Sequence, residues 1–152
     1  MKQVKKSVLL WYTPREMYEL VTAVERYPEF LPWCEKVDVL ARDGDTVTAR
    51  LHLAYAGVRH AFTTRNRNED GGSVHMTLVD GPFSSLDGLW QFLPLNKPGT
   101  DGEPTACKIA FGLSYAFSSG ALEAVVSPVF DRIANTFVDS FVQRAESLYG
   151  AR

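Results

Sequence analysis

The chain changes its hydrophobic period twice. From about residue 34 to residue 117 apolar and polar positions alternate with the two-residue period of a strand, and on both sides of that stretch the spacing is helical. Val47, Ala49, Leu51, Leu53 and Tyr55 share one face, opposed by Thr46, Thr48, Arg50 and His52. Cys107, Ile109, Phe111, Leu113, Tyr115 and Phe117 share another, opposed by Lys108, Ala110, Gly112, Ser114 and Ala116. This alternation predicts half-buried antiparallel strands, each with a wet side. Val74, Met76 and Leu78 alternate with Ser73, His75 and Thr77, while Leu86, Trp90 and Phe92 share a face with Gly88. Asp70-Gly71-Gly72 and Asp80-Gly81-Pro82 supply turns between these runs. With an N-terminal strand over 4–12 the count comes to about seven strands, most of them joined as consecutive hairpins. The segment 96–104, rich in Gly, Pro and charge, is expected to be a mobile hairpin loop.

The helical stretches carry their own punctuation. Thr13-Pro14-Arg15-Glu16 predicts a helix start, with Thr13 as cap, Pro14 at the first position and Glu16 reaching back to the cap amide. Met17, Leu20, Val21 and Val24 then form one apolar face, and Pro28 should stop the helix. The stretch 27–33, bounded by prolines, reads as a single helical turn presenting Phe30, Leu31 and Trp33. After Ser118-Ser119-Gly120 the helical period holds to about Tyr149. Leu122, Val126, Val129, Phe130, Ile133, Phe137, Phe141, Ala145 and Leu148 make a broad apolar stripe there. Such a helix of roughly thirty residues is about 45 Å long. Pro128 lies inside it, so a kink or break is expected near Ser127.

Strand, two short helices, six strands and one long helix is an α+β order, and 152 residues form a single domain over 1–152. Seven strands at about 4.8 Å make a sheet about 33 Å wide, whereas one helix is only about 10–12 Å across. The sheet must therefore curl around the long helix. Space left beneath the short helices is either filled by side chains or open as an apolar cavity. The nine Phe, six Tyr and three Trp serve either arrangement, so the pattern alone does not choose.

Charge narrows the partners. With 18 acidic and 16 basic residues, the net charge of -2 provides no general attraction to DNA or to anionic lipid. No apolar run approaches the ~18 residues that would span a bilayer, and residues 1–6 are not a signal core. A soluble, cytoplasmic protein is expected. Cys34 and Cys107 lie far apart with no Cys-x-x-Cys spacing, and read as two buried reduced thiols. His52, His60 and His75 fall in separate predicted strands at no ligand spacing, so surface histidines are expected and no metal. Gly-x-Ser-x-Gly, Walker, Gly-x-Gly-x-x-Gly and His-Glu-x-x-His patterns are missing from the sequence. Asp80 and Asp87 are explained by turn formation and solvation, and Arg59, His60, Arg65 and Arg67 by a solvated strand face. The reading is therefore of a protein that is not an enzyme and needs no cofactor.

Four separated motifs carry a resemblance. Tyr27-Pro28-Glu29-Phe30-Leu31-Pro32-Trp33-Cys34, Phe62-Thr63-Thr64-Arg65-Asn66, Leu78-Val79-Asp80-Gly81-Pro82-Phe83 and Leu89-Trp90-Gln91-Phe92 occur in the order found in the coenzyme Q binding protein family. The chain resembles most closely the bacterial branch of that family, whose members are named ribosome association toxins. The resemblance implies a START-like helix-grip fold, in agreement with the element order reached independently. It also implies an internal site for ubiquinone or a similar polyprenylated molecule, with a carrier or chaperone role supporting respiration. Phe30, Leu31, Trp33, Leu53, Tyr55, Phe83, Trp90, Phe92, Phe111, Leu113, Phe130 and Phe137 are the expected lining, with the turn 27–33 as gate. Transient contact with the inner face of the membrane would follow if quinone is collected there. The branch name implies a different partner, a ribosomal subunit whose association would be blocked. A cyclase or hydrolase using the same cavity would need an acid-base pair that the sequence does not display.

Overall fold

The computed structural model describes residues 1–96 and 104–151. In chain order the elements are β1 (Lys2–Leu10), α1 (Pro14–Thr22), a 3-10 helix (Val24–Glu29), β2 (Cys34–Asp43), β3 (Thr46–Tyr55), β4 (Val58–Glu69), β5 (Ser73–Asp80), β6 (Phe83–Leu95), β7 (Ala106–Phe117) and α2 (Gly120–Tyr149). The strands form one seven-stranded antiparallel sheet in the order β1-β7-β6-β5-β4-β3-β2, a run of hairpins closed by pairing of β1 with β7. Most of the segment expected as the hairpin loop before β7, residues 97–103, lies outside the described residues.

Local chemistry sets the boundaries. At the start of α1 the Glu16 amide donates to Thr13 Oγ1 at 3.0 Å and the Thr13 amide donates to Glu16 Oε1 at 2.9 Å. That reciprocal cap satisfies two donors the helix would otherwise leave open. The helix is shorter than its apolar spacing suggests. It ends at Thr22, and Val24 opens the 3-10 helix, which carries Pro28 within it rather than being stopped by it. So short a helix has few ladder bonds for a proline to remove. The chain then enters β2 directly at Cys34.

The expected break at Pro128 does not occur. α2 is assigned as one helix of 30 residues through Ser127 and Pro128. Pro128 removes the bond to the Ala124 carbonyl four residues back, and Ala124 is exposed, so water can take the donor's place. Near its C-terminus Leu148 is exposed, and Tyr149 turns inward instead, with its ring 6.1 Å from Tyr12.

Contacts of α2 with both edges show the curl. Lys2 of β1 reaches Asp131 of α2 at 2.6 Å, while the ring of Trp33, just before the opposite edge strand, lies 6.2 Å from Phe137 of the same helix. A flat sheet of this width could not bring both edges to one helix. Register shifts at Cys34/Lys36, Val39/Ala41, Thr63/Thr64 and Phe83/Ser85 supply the bends. Glycine is required at one of the resulting corners. Gly81 has φ +146, and a Cβ there would stand 2.7 Å from Phe62 Cβ.

Candidate functional site

The helix and the curled sheet do not meet everywhere. Between them lies a narrow apolar cavity of about 50 Å³. Its roof is Phe130, Ile133, Ala134 and Phe137 of α2, with Val24 and Tyr27 of the 3-10 helix at one end. Its floor is Leu51 of β3, Phe62, Thr64 and Asn66 of β4, Met76 of β5, Leu86 of β6, and Phe111 and Leu113 of β7, with Trp33 at the edge. The volume is room for only a few waters, well below the ~300 Å³ at which small-molecule pockets begin. Binding anything larger requires these walls to move.

Two of the walls, Met76 and Phe137, are the ones whose displacement would widen the cavity. The tip of Met76 lies over Gly88 on the neighbouring strand, where a Cβ would be only 2.6 Å from Met76 Cε. An unbranched thioether in that position can change rotamer at little cost. Phe137 is only partly buried, in tilted or edge contact with Trp33, Trp90, Phe111 and Phe141 at centroid separations from 5.1 to 6.2 Å. The segment around Phe30 is held to α2 by two contacts of Arg144, an ion pair to Glu29 at 2.8 Å and a guanidinium 5.1 Å from the Phe30 ring centre.

The expected lining is thus partly relocated. Five of the twelve residues line the cavity: Trp33, Phe111, Leu113, Phe130 and Phe137. Leu31, Leu53, Phe83, Trp90 and Phe92 are buried in the surrounding core but do not face the cavity. Trp90 stacks on Phe92 with an interplanar angle of 3° and meets Phe137 at 5.7 Å, so no gap separates that pair. Phe30 is half-buried against Tyr27 and Phe141. Tyr55 is exposed, because β3 runs past the core into the Ala56-Gly57 turn, where both residues have positive φ.

Sequence reasoning missed the polar part of the site. Phe62, Thr64 and Asn66 follow one another on the inner face of β4, so two polar side chains are buried at 4 % and 5 % exposure in an apolar enclosure. Thr64 Oγ1 donates to Asn66 Oδ1 at 2.9 Å. Their parity with Phe62 was the available signal. The polar character of both residues pointed instead to the wet face. Among the described residues, the buried side-chain atoms with no hydrogen-bond partner are Asn68 Oδ1, Ser85 Oγ and Trp90 Nε1.

The remaining chemical candidates sit elsewhere. His52 meets Asp38 at 2.8 Å and His75 meets Asp87 at 3.0 Å, as pairs on the outer face of the sheet, and Asp80 is exposed. Arg59 pairs with Glu35 and Arg67 with Glu69, while Arg65 is exposed. Cys34 and Cys107 are buried on β2 and β7, five places apart in the strand order, and burial pushes both thiols up to about 11. Lys2, Tyr115 and Ser127 converge on Asp131, tying β1 and β7 to α2.

A family model described as polyketide cyclase / dehydrase and lipid transport matches residues 10–142. The chain belongs to that family. Within it, a protein of Pseudomonas aeruginosa named ribosome association toxin RatA is 41% identical over 147 residues, covering 97% of both chains. The coenzyme Q-binding protein COQ10 homolog B of Xenopus laevis, a mitochondrial protein, is 27% identical over 97% of this chain and 59% of its own. A START superfamily protein from Mycobacterium smegmatis superposes with a TM-score of 0.72 at 18% identity, over 96% of this chain and 98% of that one. At that identity the likeness concerns the fold, which is the START-like helix grip. Among the described residues no helix is long and apolar enough to cross a membrane.

Proposed function

We propose that this member of the family binds an apolar small molecule of the prenyl-quinone class between α2 and the sheet. It acts as a carrier supporting respiration rather than as an enzyme. The observation that carries the reading is the cavity itself. It lies where the helix fails to cover the curled sheet, and it is bordered by the unbranched Met76 and the partly buried Phe137. An isoprenoid tail gains about 25 cal/mol for each Å² of apolar surface it removes from water, so widening such a cavity needs little polar recognition. The name of the Xenopus relative supports the quinone class. In this reading the protein works in the cytoplasm and visits the inner membrane face to collect its ligand, with the half-buried Phe30 beside the gate as the first point of contact. Mass spectrometry of small molecules co-purifying from the native host should find a quinone or other isoprenoid. Failure to find one, together with no saturable uptake of decylubiquinone by purified protein, refutes the proposal.

One observation favours a second reading. The 41% identical Pseudomonas relative, matched over nearly its whole length, is named for ribosome association. A net charge of -2 argues against an affinity built on phosphate contacts, so a ribosomal partner would be met through protein surface. Co-sedimentation with ribosomal subunits in sucrose gradients at several salt concentrations tests this reading. It is supported if the protein travels with one subunit and the association changes little with salt.

A further inference from the structure

The cavity holds one polar feature, and it is only half used. Asn66 lines the cavity with its side chain nineteen-twentieths buried, and its Oδ1 accepts the Thr64 hydroxyl at 2.9 Å. In that bond the Thr64 hydroxyl is the donor and the Asn66 amide oxygen the acceptor. The Asn66 Nδ2 donates to no group among the described residues, although an amide nitrogen carries two N–H bonds. Apart from Thr64, Tyr27 and the indole N–H of Trp33 the other cavity-lining side chains carry no N–H or O–H group, and the Tyr27 hydroxyl already donates to the Val21 carbonyl. An apolar residue would fill this cavity-lining position, opposite Met76, without introducing a polar group.

We propose that Thr64 and Asn66 form the polar anchor of the cavity. Thr64 holds the amide oxygen, and Asn66 Nδ2 donates a hydrogen bond to a carbonyl oxygen on the head of an otherwise apolar ligand. This deepens the carrier reading and rests on it, since it names the atom that orients the head and the chemical group the head must present. The ligand class is therefore a hydrocarbon-tailed molecule with an acceptor at one end, such as a quinone or a ketone. A plain hydrocarbon could enter but would not be held in one orientation. Placement agrees with this role. Asn66 is paired in register with Met76, whose flexible tip covers Gly88, so displacing that tip opens space directly beside the amide. The rings of Phe62, Phe111 and Phe130 border the same space.

The test compares decylubiquinone with decylbenzene as probes, on wild-type protein and on Asn66→Leu. Affinity is read by quenching of tryptophan fluorescence, and the carbonyl stretch of bound quinone by infrared difference spectroscopy. The expected result has three parts: wild type binds both probes, Asn66→Leu loses about tenfold in affinity for the quinone alone, and one quinone carbonyl band is shifted down in wild type and returns to the free position in the variant. If wild type binds both probes and the variant binds both as well, or loses both equally, the anchor is overturned and the carrier reading stands. If neither probe binds wild type saturably, the carrier reading fails and takes the anchor with it. Should Asn66→Leu not fold, the wild-type spectrum alone decides, because two unshifted carbonyl bands in the bound quinone overturn the proposal.

Discussion

Filling the cavity should stabilise the protein and abolish uptake, and Ala134→Val is the substitution that separates these effects. Ala134 is 2 % exposed and lies in the roof of the cavity, with about 50 Å³ of unfilled space below it. At ~24 cal/mol per Å³, a void of that size costs the folded state about 1 kcal/mol. Valine places two further methyl groups there, worth about 1.6 kcal/mol at ~0.8 kcal/mol for each buried carbon. Against this stands its lower helix propensity, about 0.6 kcal/mol in the interior of α2. The net expectation is a gain of about 1 kcal/mol, or about 2–4 °C in Tm for a chain of this length. Urea and thermal unfolding measure the first effect, and decylubiquinone titration measures the second. A variant destabilised by more than about 1 kcal/mol would mean that the roof is already packed to native density. A stabilised variant with undiminished uptake would place the ligand elsewhere.

Gly81→Ala should destabilise the protein by about 2 kcal/mol or more, because φ is +146 and the new Cβ would collide with Phe62 Cβ; an unchanged urea midpoint would refute the corner geometry. Burial pushes the Asp131 carboxyl up, but hydrogen bonds from Lys2, Tyr115 and Ser127 outweigh it and hold the group below its ordinary value of 3.8. Its contribution to stability is therefore full above pH ~4 and lost as pH falls through the lower folded value, so Asp131→Asn should flatten the acid limb of a stability-pH curve, and parallel curves would refute the assignment. Arg144→Met should cost less than about 1 kcal/mol, since both of its contacts are near the surface, yet accelerate quinone uptake in stopped-flow fluorescence by removing two of the contacts that hold the Glu29–Phe30 segment to α2. An unchanged rate would mean that this segment is not the gate.

The fold was legible because its elements repeat one rule many times. Strands β3, β5, β6 and β7 show their buried faces as alternate apolar residues, and the Thr13-Glu16 box marks the start of α1 through a purely local interaction. The site was less legible, because the border of a cavity is set by tertiary approach and leaves no period of its own. Trp90 and Phe137 both turn toward the core, yet their contact fills the space expected between them. The cavity forms instead over β3 to β7, where the rings of α2 only partly bridge to the sheet, and there the decisive residues are Met76 and Asn66. Neither resembles a pocket residue in a sequence. Methionine reads as ordinary core, and asparagine beside two threonines and an arginine reads as solvated strand.

In the carrier reading, near-closure of the cavity keeps aromatic surface away from water. An open pocket lined by Phe62, Phe111, Phe130 and Phe137 would expose aromatic surface to water at about 25 cal/mol for each Å². Collapse of the walls avoids that cost and leaves only the small residual void. Loading must then separate ring pairs such as Trp33–Phe137 and Phe137–Phe111, at about 0.5–1.5 kcal/mol each. One isoprene unit buries five carbons, about 4 kcal/mol at ~0.8 kcal/mol per carbon, which exceeds the cost of parting two such pairs. Tail length should therefore govern whether the cavity opens at all, and the polar head should govern only how the molecule lies once inside. The two contributions are carried by different residues, the rings of α2 and the amide of β4, so they can be removed one at a time.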